Sequence, residues 1–530
     1  MYAALLALHA PLLRLPYYWD EAGYYVFAAL DCFRHFWLIP RSTLANGHPP
    51  LLSLYLAGVW SLGGFHLWVT RSAMLAWAAA LVCGVWALAQ PRLGRAAAAP
   101  ALLVALSPLV FAQASLAQLD LPVAALVIWA LAARQWQRGW WEAGLLTAAC
   151  LMKETAVIVP AVLLLADLAR GRGRAAARQI APMAVLAAWF FFYHAHSGYW
   201  FGNPQYFAYN LGDTAGSLPR IGLSLLRRVW QLACYDGTGL LTLLAVLAWW
   251  RTRRSRVGER WPSAWLLVIG AYLVFHALVG GAVLARYLLP ALALYYIGIS
   301  EWLLRLPRAR LWIGVCAAFL VVSWFWNPPY PFPYEDNLAY AQFIRLHQAA
   351  AHELEQHPPH GPIYTAWPAT DELTRPALGY VTHALAVHAL RDFSAASLRG
   401  LKPAPGSVLY LYSRTYRPTL DFASAPFWAR WARRYFDFAG PAPARLWVAR
   451  LGLKAFYRRR QDGQWVLLAR ASPTQAQQRL GALPRPCPRS PPTVAAAPSP
   501  ASCRFQPGAA VRVAVARARP AAAPSESAKL

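Results

Sequence analysis

The sequence predicts an α-helical polytopic membrane protein of about eleven transmembrane helices, followed by a small α/β domain outside the membrane. Composition carries the first half of that reading: hydrophobic residues make up 58% of the 530 and charged residues only 14%. Lipid suits such a chain better than water does. The distribution of charge carries the second half. Lys and Arg number 50 against 22 Asp and Glu, a formal net charge of +28. The arginines come in short clusters between apolar runs, as membrane topology signals do, so nucleic acid is not expected as a partner.

Spans are expected near residues 1–16, 68–90, 97–112, 120–134, 141–153, 155–169, 179–197, 236–250, 262–284, 287–305 and 311–327. The first apolar stretch, Met1 to Leu15, has neither a basic start nor a small-residue cleavage site, so it reads as a helix and not as a removed signal peptide. The clusters Arg92/Arg95, Arg134/Arg138, Arg170/Arg172/Arg174/Arg178, Arg251/Arg253/Arg254/Arg256 and Arg305/Arg308/Arg310 all fall on one side if the N-terminus is cytoplasmic and the count is odd. The expected location is the bacterial inner membrane.

The outward segments carry the complexity. Residues 17–67 form a long first outer loop, and 198–235 hold an amphipathic helical pattern from Leu218 to Leu232. The transmembrane domain, 1–330, gives way to a soluble extracytoplasmic α/β domain over 331–475. There the pattern is helical over 336–356 and strand-like at 362–367, 406–412, 444–450 and 464–470. Residues 476–530 are rich in Pro, Ala and Arg without periodicity and are expected to be disordered. The seven cysteines show no metal-site or disulfide spacing; only Cys487 and Cys503 are placed to pair.

An ionisable group at membrane depth costs several kcal/mol, so it marks function or a partner. Of the acids before residue 330, Glu142, Asp167, Glu259 and Glu301 sit at cytoplasmic helix ends, where arginines can pair with them. The others map to the outer half. Asp20-Glu21 follows the first helix in a run of aromatics: either a solvated, helix-capping pair, or a general base with a pKa raised by a dry surrounding. Asp120, two residues before Pro122, is an N-cap or a site acid. Lys153 is the only lysine before Lys402, in a chain that otherwise uses arginine. It can pair with Glu154 or Asp120, or offer a compact charge to phosphate. Arg286, at another outer helix boundary, is a snorkelling cation or a phosphate ligand.

Taken in order, Asp20-Glu21, His48-Pro49-Pro50-Leu51, Asp120, Lys153-Glu154 and Arg286-Tyr287-Leu288-Leu289-Pro290 resemble the membrane glycosyltransferases of the GT-C superfamily. The likeness is to bacterial family 39-like proteins, related to protein O-mannosyltransferases and the lipid A aminoarabinose transferase. It covers roughly residues 1–330. It implies a GT-C-like fold and an inverting transfer of a sugar from a polyprenyl-phosphate donor to a protein, lipid or glycan hydroxyl on the outer face. By the same resemblance Asp20 is the base with Glu21 as neighbour or substitute, and Lys153 and Arg286 hold the carrier phosphate. Asp120 and Glu154 then serve the acceptor side or orient the cations, with Tyr287 beside the site. His48 stands where some relatives have lysine, so a loop anchor fits it better than a phosphate ligand. Magnesium or manganese is compatible with the outer carboxylates, but no ligand spacing demands either. A transporter or flippase, or a glycan ligase, is the competing reading; repeated halves, expected of many transporters, are not found in the sequence.

Overall fold

The computed structural model describes residues 1–204, 217–252, 262–279, 284–328, 332–414, 416 and 444–471. Asp213, Glu259, Cys487, Cys503 and the 476–530 tail lie outside the described residues. The chain is an α-helical assembly that ends in a small sheet.

Most of the apolar segments form helices near their expected bounds: α1 Tyr2–His9, α4 Leu67–Leu93, α7 Asp120–Gln135, α8 Gly139–Met152, α9 Ile158–Leu168 and α10 Gly173–Ser197. Five more follow: the amphipathic Leu218–Ala233, then Thr238–Thr252, Ser263–Val279, Leu289–Leu303 and Ala309–Ser323. The helix expected over 97–112 is instead two pieces, α5 Ala98–Leu106 and α6 Pro108–Gln113. Pro108 cannot donate a backbone hydrogen bond, and Ser107 before it is extended (ψ 127°), so the helix breaks there.

Among the described residues, only the continuous stretch Leu67–Leu106 and Gly173–Ser197 are long and apolar enough to cross a bilayer by themselves. A third span arises if Leu218–Ala233 and Thr238–Thr252 act as one broken element, bent by 81°. Several apolar helices are shorter than a bilayer core, and these pack against one another in one buried core with Trp60, Met74, Leu146 and Tyr296 inside it. The molecule is an integral membrane protein in which polar breaks sit between short helices.

The long segment after the first helix is more structured than its composition suggests. Residues 17–67 contain α2 Val26–His35 and α3 Leu51–Gly63, preceded by a π-helical turn at Glu21–Tyr25. Such turns are rare and concentrate at functional sites. Trp19, just before it, has φ +45°, a left-handed conformation that a bulky residue seldom adopts.

The C-terminal sheet is mixed, in the order β2-β1-β3-β5-β4, formed by β1 Ile363–Ala366, β2 Val387–Leu390, β3 Val408–Tyr412, β4 Leu453–Gln461 and β5 Gln464–Ala471. β1 pairs in parallel with β2 and β3, while β5 is antiparallel to β3 and β4. All of β3 is buried, as a central strand should be, and the helix Ala339–Gln356 covers the sheet. The segment 444–450, expected as a strand, is the helix Ala444–Arg450; its arginines at both ends and its buried Trp447 and Val448 give it one apolar side, which a short window does not separate from strand alternation. β4, with Arg458-Arg459-Arg460, lacks an apolar alternation and gives no strand signal in the sequence. Tyr17 N–H donates to Leu378 O at 3.1 Å, and Gln113 Nε2 to Glu335 O at 3.1 Å, so this part of the chain is fastened onto the helices beside residues 17–21.

Candidate active site

Adjacent carboxylates on a helical turn point about 100° apart, and Asp20 and Glu21 enter separate networks. Glu21 is fully buried and its oxygens are closed off. It accepts hydrogen bonds from Arg71 Nη1 at 2.6 Å and Nη2 at 3.0 Å, from Ala117 N–H at 2.5 Å and from Tyr18 N–H at 2.8 Å. Arg71 is itself 1% exposed and also donates to the carbonyls of Pro16 and Ser115. This placement differs from the expected one for Glu21, as neighbour or substitute for the base: its lone pairs are already occupied. Its partner Arg71 carries no motif around it in the sequence.

Asp20 turns the other way, to Arg286. Its Oδ2 accepts from Arg286 Nη2 at 2.5 Å, and its side chain keeps 19% exposure against 3% for the arginine. Asp20 makes no capping hydrogen bond to the turn that follows it. Arg286 is placed by a tight turn, Ala285–Leu288, that leads into Leu289–Leu303, where Pro290 occupies the first helical turn and needs no hydrogen-bond acceptor. Its Nη1 donates to Glu335 Oε2 at 2.8 Å and to Gln118 Oε1. Its Nε lies 3.1 Å from Asp120 Oδ2, though not aligned as a hydrogen bond.

Asp120 is the first residue of α7, and its side chain caps nothing. Oδ1 instead accepts from Lys153 Nζ at 2.6 Å. Lys153 stands in extended backbone between α8 and the turn Glu154–Val157, a break that leaves the ammonium at the helix ends. Burial works against the Arg286 cation, and the carboxylates of Glu335, Asp20 and Asp120 outweigh it and hold the guanidinium well above its ordinary pKa.

Tyr287 lies at the centre of the positive charge. Lys153 Nζ is 4.0 Å from its ring centroid, Arg286 5.7 Å and Arg228 6.0 Å, and the His276 ring stacks at 5.4 Å. Arg228 comes from the amphipathic helix and is 1% exposed. It donates to Gln231 Oε1 at 3.0 Å and Leu284 O at 2.9 Å, its Nε has no partner, and no carboxylate pairs with it among the described residues. A buried guanidinium without a counter-charge favours an anionic ligand.

Glu154 pairs with His48 and not with the carboxylate–cation network. Burial works to raise its pKa, but His48 and Lys153 outweigh that and hold it down to about 2. His48 Nδ1 lies 2.7 Å from Glu154 Oε2, so His48 anchors the first segment to the α8–α9 connection.

The structure therefore brings together Asp20, Asp120, Lys153, Arg286 and Tyr287, sets Glu154 and His48 beside them, and withdraws Glu21. It adds Gln118, Arg228 and Glu335. Gln118 lies two residues before Asp120, and an amide there carries no signal of its own in the sequence. Glu335 lies just past residue 330, where the soluble composition begins, and an acid in soluble sequence attracts no notice. Burial raises its pKa to about 6 in spite of Arg286 beside it, with Asp20 adding to the rise. Among the described residues, no group of three or more His, Cys, Asp or Glu side chains is disposed to hold a metal ion.

At the opposite ends of the helices the acids are paired as their positions suggest. Arg134 bridges Glu142 at 2.7 Å and Asp167 at 2.5 Å, and Arg92 holds Glu301 at 2.6 Å.

Comparison with known proteins agrees with this architecture. A model of glycosyltransferase family 87 matches residues 48–280. The structure is similar to crystal structures of ArnT from Cupriavidus metallidurans. Against the apo form the TM-score is 0.53 at 15% identity, covering 88% of this chain and 97% of that one. Against the form bound to undecaprenyl phosphate it is 0.55 at 14% identity, covering 88% and 96%. No curated protein matches by sequence. The chain thus shares its fold with these structures, and a glycosyltransferase family 87 model matches part of its sequence.

Proposed function

We propose that this protein transfers a sugar from a polyprenyl-phosphate carrier to an acceptor hydroxyl, with inversion, on the outer face of the bacterial inner membrane. The topology that goes with it has about eleven membrane segments, several of them shorter than a full span, a cytoplasmic N-terminus and an extracytoplasmic domain over 331–475. The single observation that carries the reading is the direct contact between Asp20, the one partly exposed carboxylate of the network, and the buried cation Arg286. A base and a leaving-group clamp are thereby within one bond of each other. The ArnT form bound to undecaprenyl phosphate supports a lipid carrier of that kind here.

The acceptor oxygen attacks the anomeric carbon as the bond from that carbon to the phosphate oxygen breaks. The electron pair leaves with the phosphate, and the hydroxyl proton passes to Asp20 and then to solvent. Negative charge grows on the phosphate during this step, so Lys153, Arg286 and Arg228 around Tyr287 stabilise the transition state more than the ground state. Asp120 holds Lys153 and Arg286 in register. A carboxylate bound to a guanidinium is a weak base, and Asp20 gains basicity when Arg286 turns toward the phosphate.

The test is incubation of the full chain in lipid with a labelled polyprenyl-phosphate sugar and envelope glycan, lipid or protein fractions. Release of polyprenyl phosphate that depends on an acceptor is expected. Passage of intact donor into the vesicle lumen without release would overturn the reading.

A further inference from the structure

Asp20 stands between two neighbours that cannot turn freely. On one side Glu21 is locked by Arg71 and by the backbone N–H groups of Tyr18 and Ala117. On the other, Trp19 has φ +45°, a conformation that a bulky residue keeps only where its surroundings hold it. The direction of the Asp20 carboxylate is therefore set by whatever holds Trp19 and the turn Glu21–Tyr25.

Both are held from the far end of the chain. The Trp19 ring meets Phe343 edge to face at 5.8 Å and Trp367 edge to face at 5.1 Å. Phe343 belongs to the helix Ala339–Gln356, and Trp367 follows directly on β1. Trp367 also lies against the turn itself. A Cβ at Gly23 would stand 2.9 Å from Trp367 Cζ2 and 3.1 Å from its Nε1, so only glycine admits the indole that close. The close approach falls three residues from Asp20, within one turn. The indole is not free to step back, because its Nε1 donates to Asp371 Oδ2 at 3.1 Å. Asp371 pairs in turn with Arg375 at 3.4 Å, whose guanidinium lies 4.2 Å from the Phe27 ring centroid, in the helix that continues the turn.

We propose that Trp367 is a positioning residue for the transfer reaction: wedged between Trp19 and Gly23, it fixes the backbone that aims Asp20 at the acceptor hydroxyl. The C-terminal sheet thereby completes the mounting of the base. The proposal rests on the reading of Asp20 as that base. No bond and no proton changes at the indole. It acts on turnover and not on carrier binding, because Lys153, Arg286 and Arg228 are mounted on other elements.

The experiment uses the full chain in lipid nanodiscs, with the labelled polyprenyl-phosphate sugar and the acceptor fraction that support release by the wild type. Turnover is counted per site that binds undecaprenyl phosphate, so unfolded protein does not enter the rate. Trp367→Ala should lower kcat by up to about 10²-fold, the loss that a displacement of about 1 Å produces. Affinity for undecaprenyl phosphate and the half-saturating amount of acceptor should stay close to wild type. Gly23→Ala should lower kcat as well, since the added methyl pushes the turn off the indole. In the absence of the indole that methyl has room, so the double variant should turn over no more slowly than Trp367→Ala alone. Wild-type turnover in Gly23→Ala overturns the proposal whether or not Trp367→Ala folds, and so do additive losses in the double variant. A change in Trp367→Ala confined to the half-saturating amount of acceptor also overturns it, because the indole would then be a surface for the acceptor. Absence of acceptor-dependent release by the wild type with every fraction is a separate result, in which the transfer reading itself fails and takes the role of Trp367 with it.

Discussion

Two arginines, Arg71 and Arg286, hold adjacent carboxylates, and the two nests they make are built on different principles. Around Glu21 every lone pair meets a fixed donor, two of them backbone N–H groups that cannot move away, and the pair is sealed from solvent. Around Arg286 the situation is reversed: three carboxylates and an amide surround one guanidinium, and one of the carboxylates reaches solvent. The first arrangement is closed and suits a joint. The second holds more acceptors than one cation needs, so partners can be exchanged when a ligand arrives. Under the proposed transfer, the surplus of partners, and not buried charge alone, distinguishes the reacting group.

That contrast can be broken most sharply at the adjacent acids. Asp20→Asn should lower turnover by about 10²–10⁴-fold, the usual contribution of a general base, with carrier affinity and thermal stability nearly unchanged. Glu21→Gln should do the opposite. It leaves Arg71 buried without its counter-charge, a loss of about 3–5 kcal/mol of stability read as a lower melting temperature in detergent. Wild-type turnover in Asp20→Asn, or a stable and inactive Glu21→Gln, would exchange the roles assigned to the two nests.

The cations around Tyr287 sharpen the comparison further. Lys153→Ala should weaken undecaprenyl phosphate binding by about 1–3 kcal/mol through loss of a charge-assisted bond. Arg228→Met should also weaken it, yet leave the melting temperature equal or higher, because a long apolar side chain replaces a buried cation that has no carboxylate partner. Equal affinity in both variants would move the phosphate away from Tyr287. The smallest effect is expected at the joint between segments: His48→Asn should change affinity less than about threefold, within the range of a single modest hydrogen bond, and a complete loss would bring His48 into the site.

Much of this was legible in the chain. Apolar runs of helical length between arginine clusters establish a membrane protein, because hydrocarbon tolerates neither exposed backbone nor unpaired charge. The rarity of ionisable residues in those runs makes each one informative, and Asp20, Asp120, Lys153 and Arg286 do come together. Helix lengths were less legible. Ser107-Pro108 and the extended Lys153 break apolar stretches that hydropathy reads as continuous, and the arginine-rich β4 resembles an exposed loop.

What the sequence determined by itself is the solvent of the protein and the set of residues too costly to be there without a reason. Those follow from composition and spacing. Which acid serves which arginine was decided only by tertiary structure. Arg71 lies 50 residues from Glu21, Arg286 lies 266 from Asp20, and Glu335 joins the same guanidinium from a segment that looks soluble. A buried charge takes its meaning from the groups within hydrogen-bond reach, and at those separations no local pattern records which groups they are.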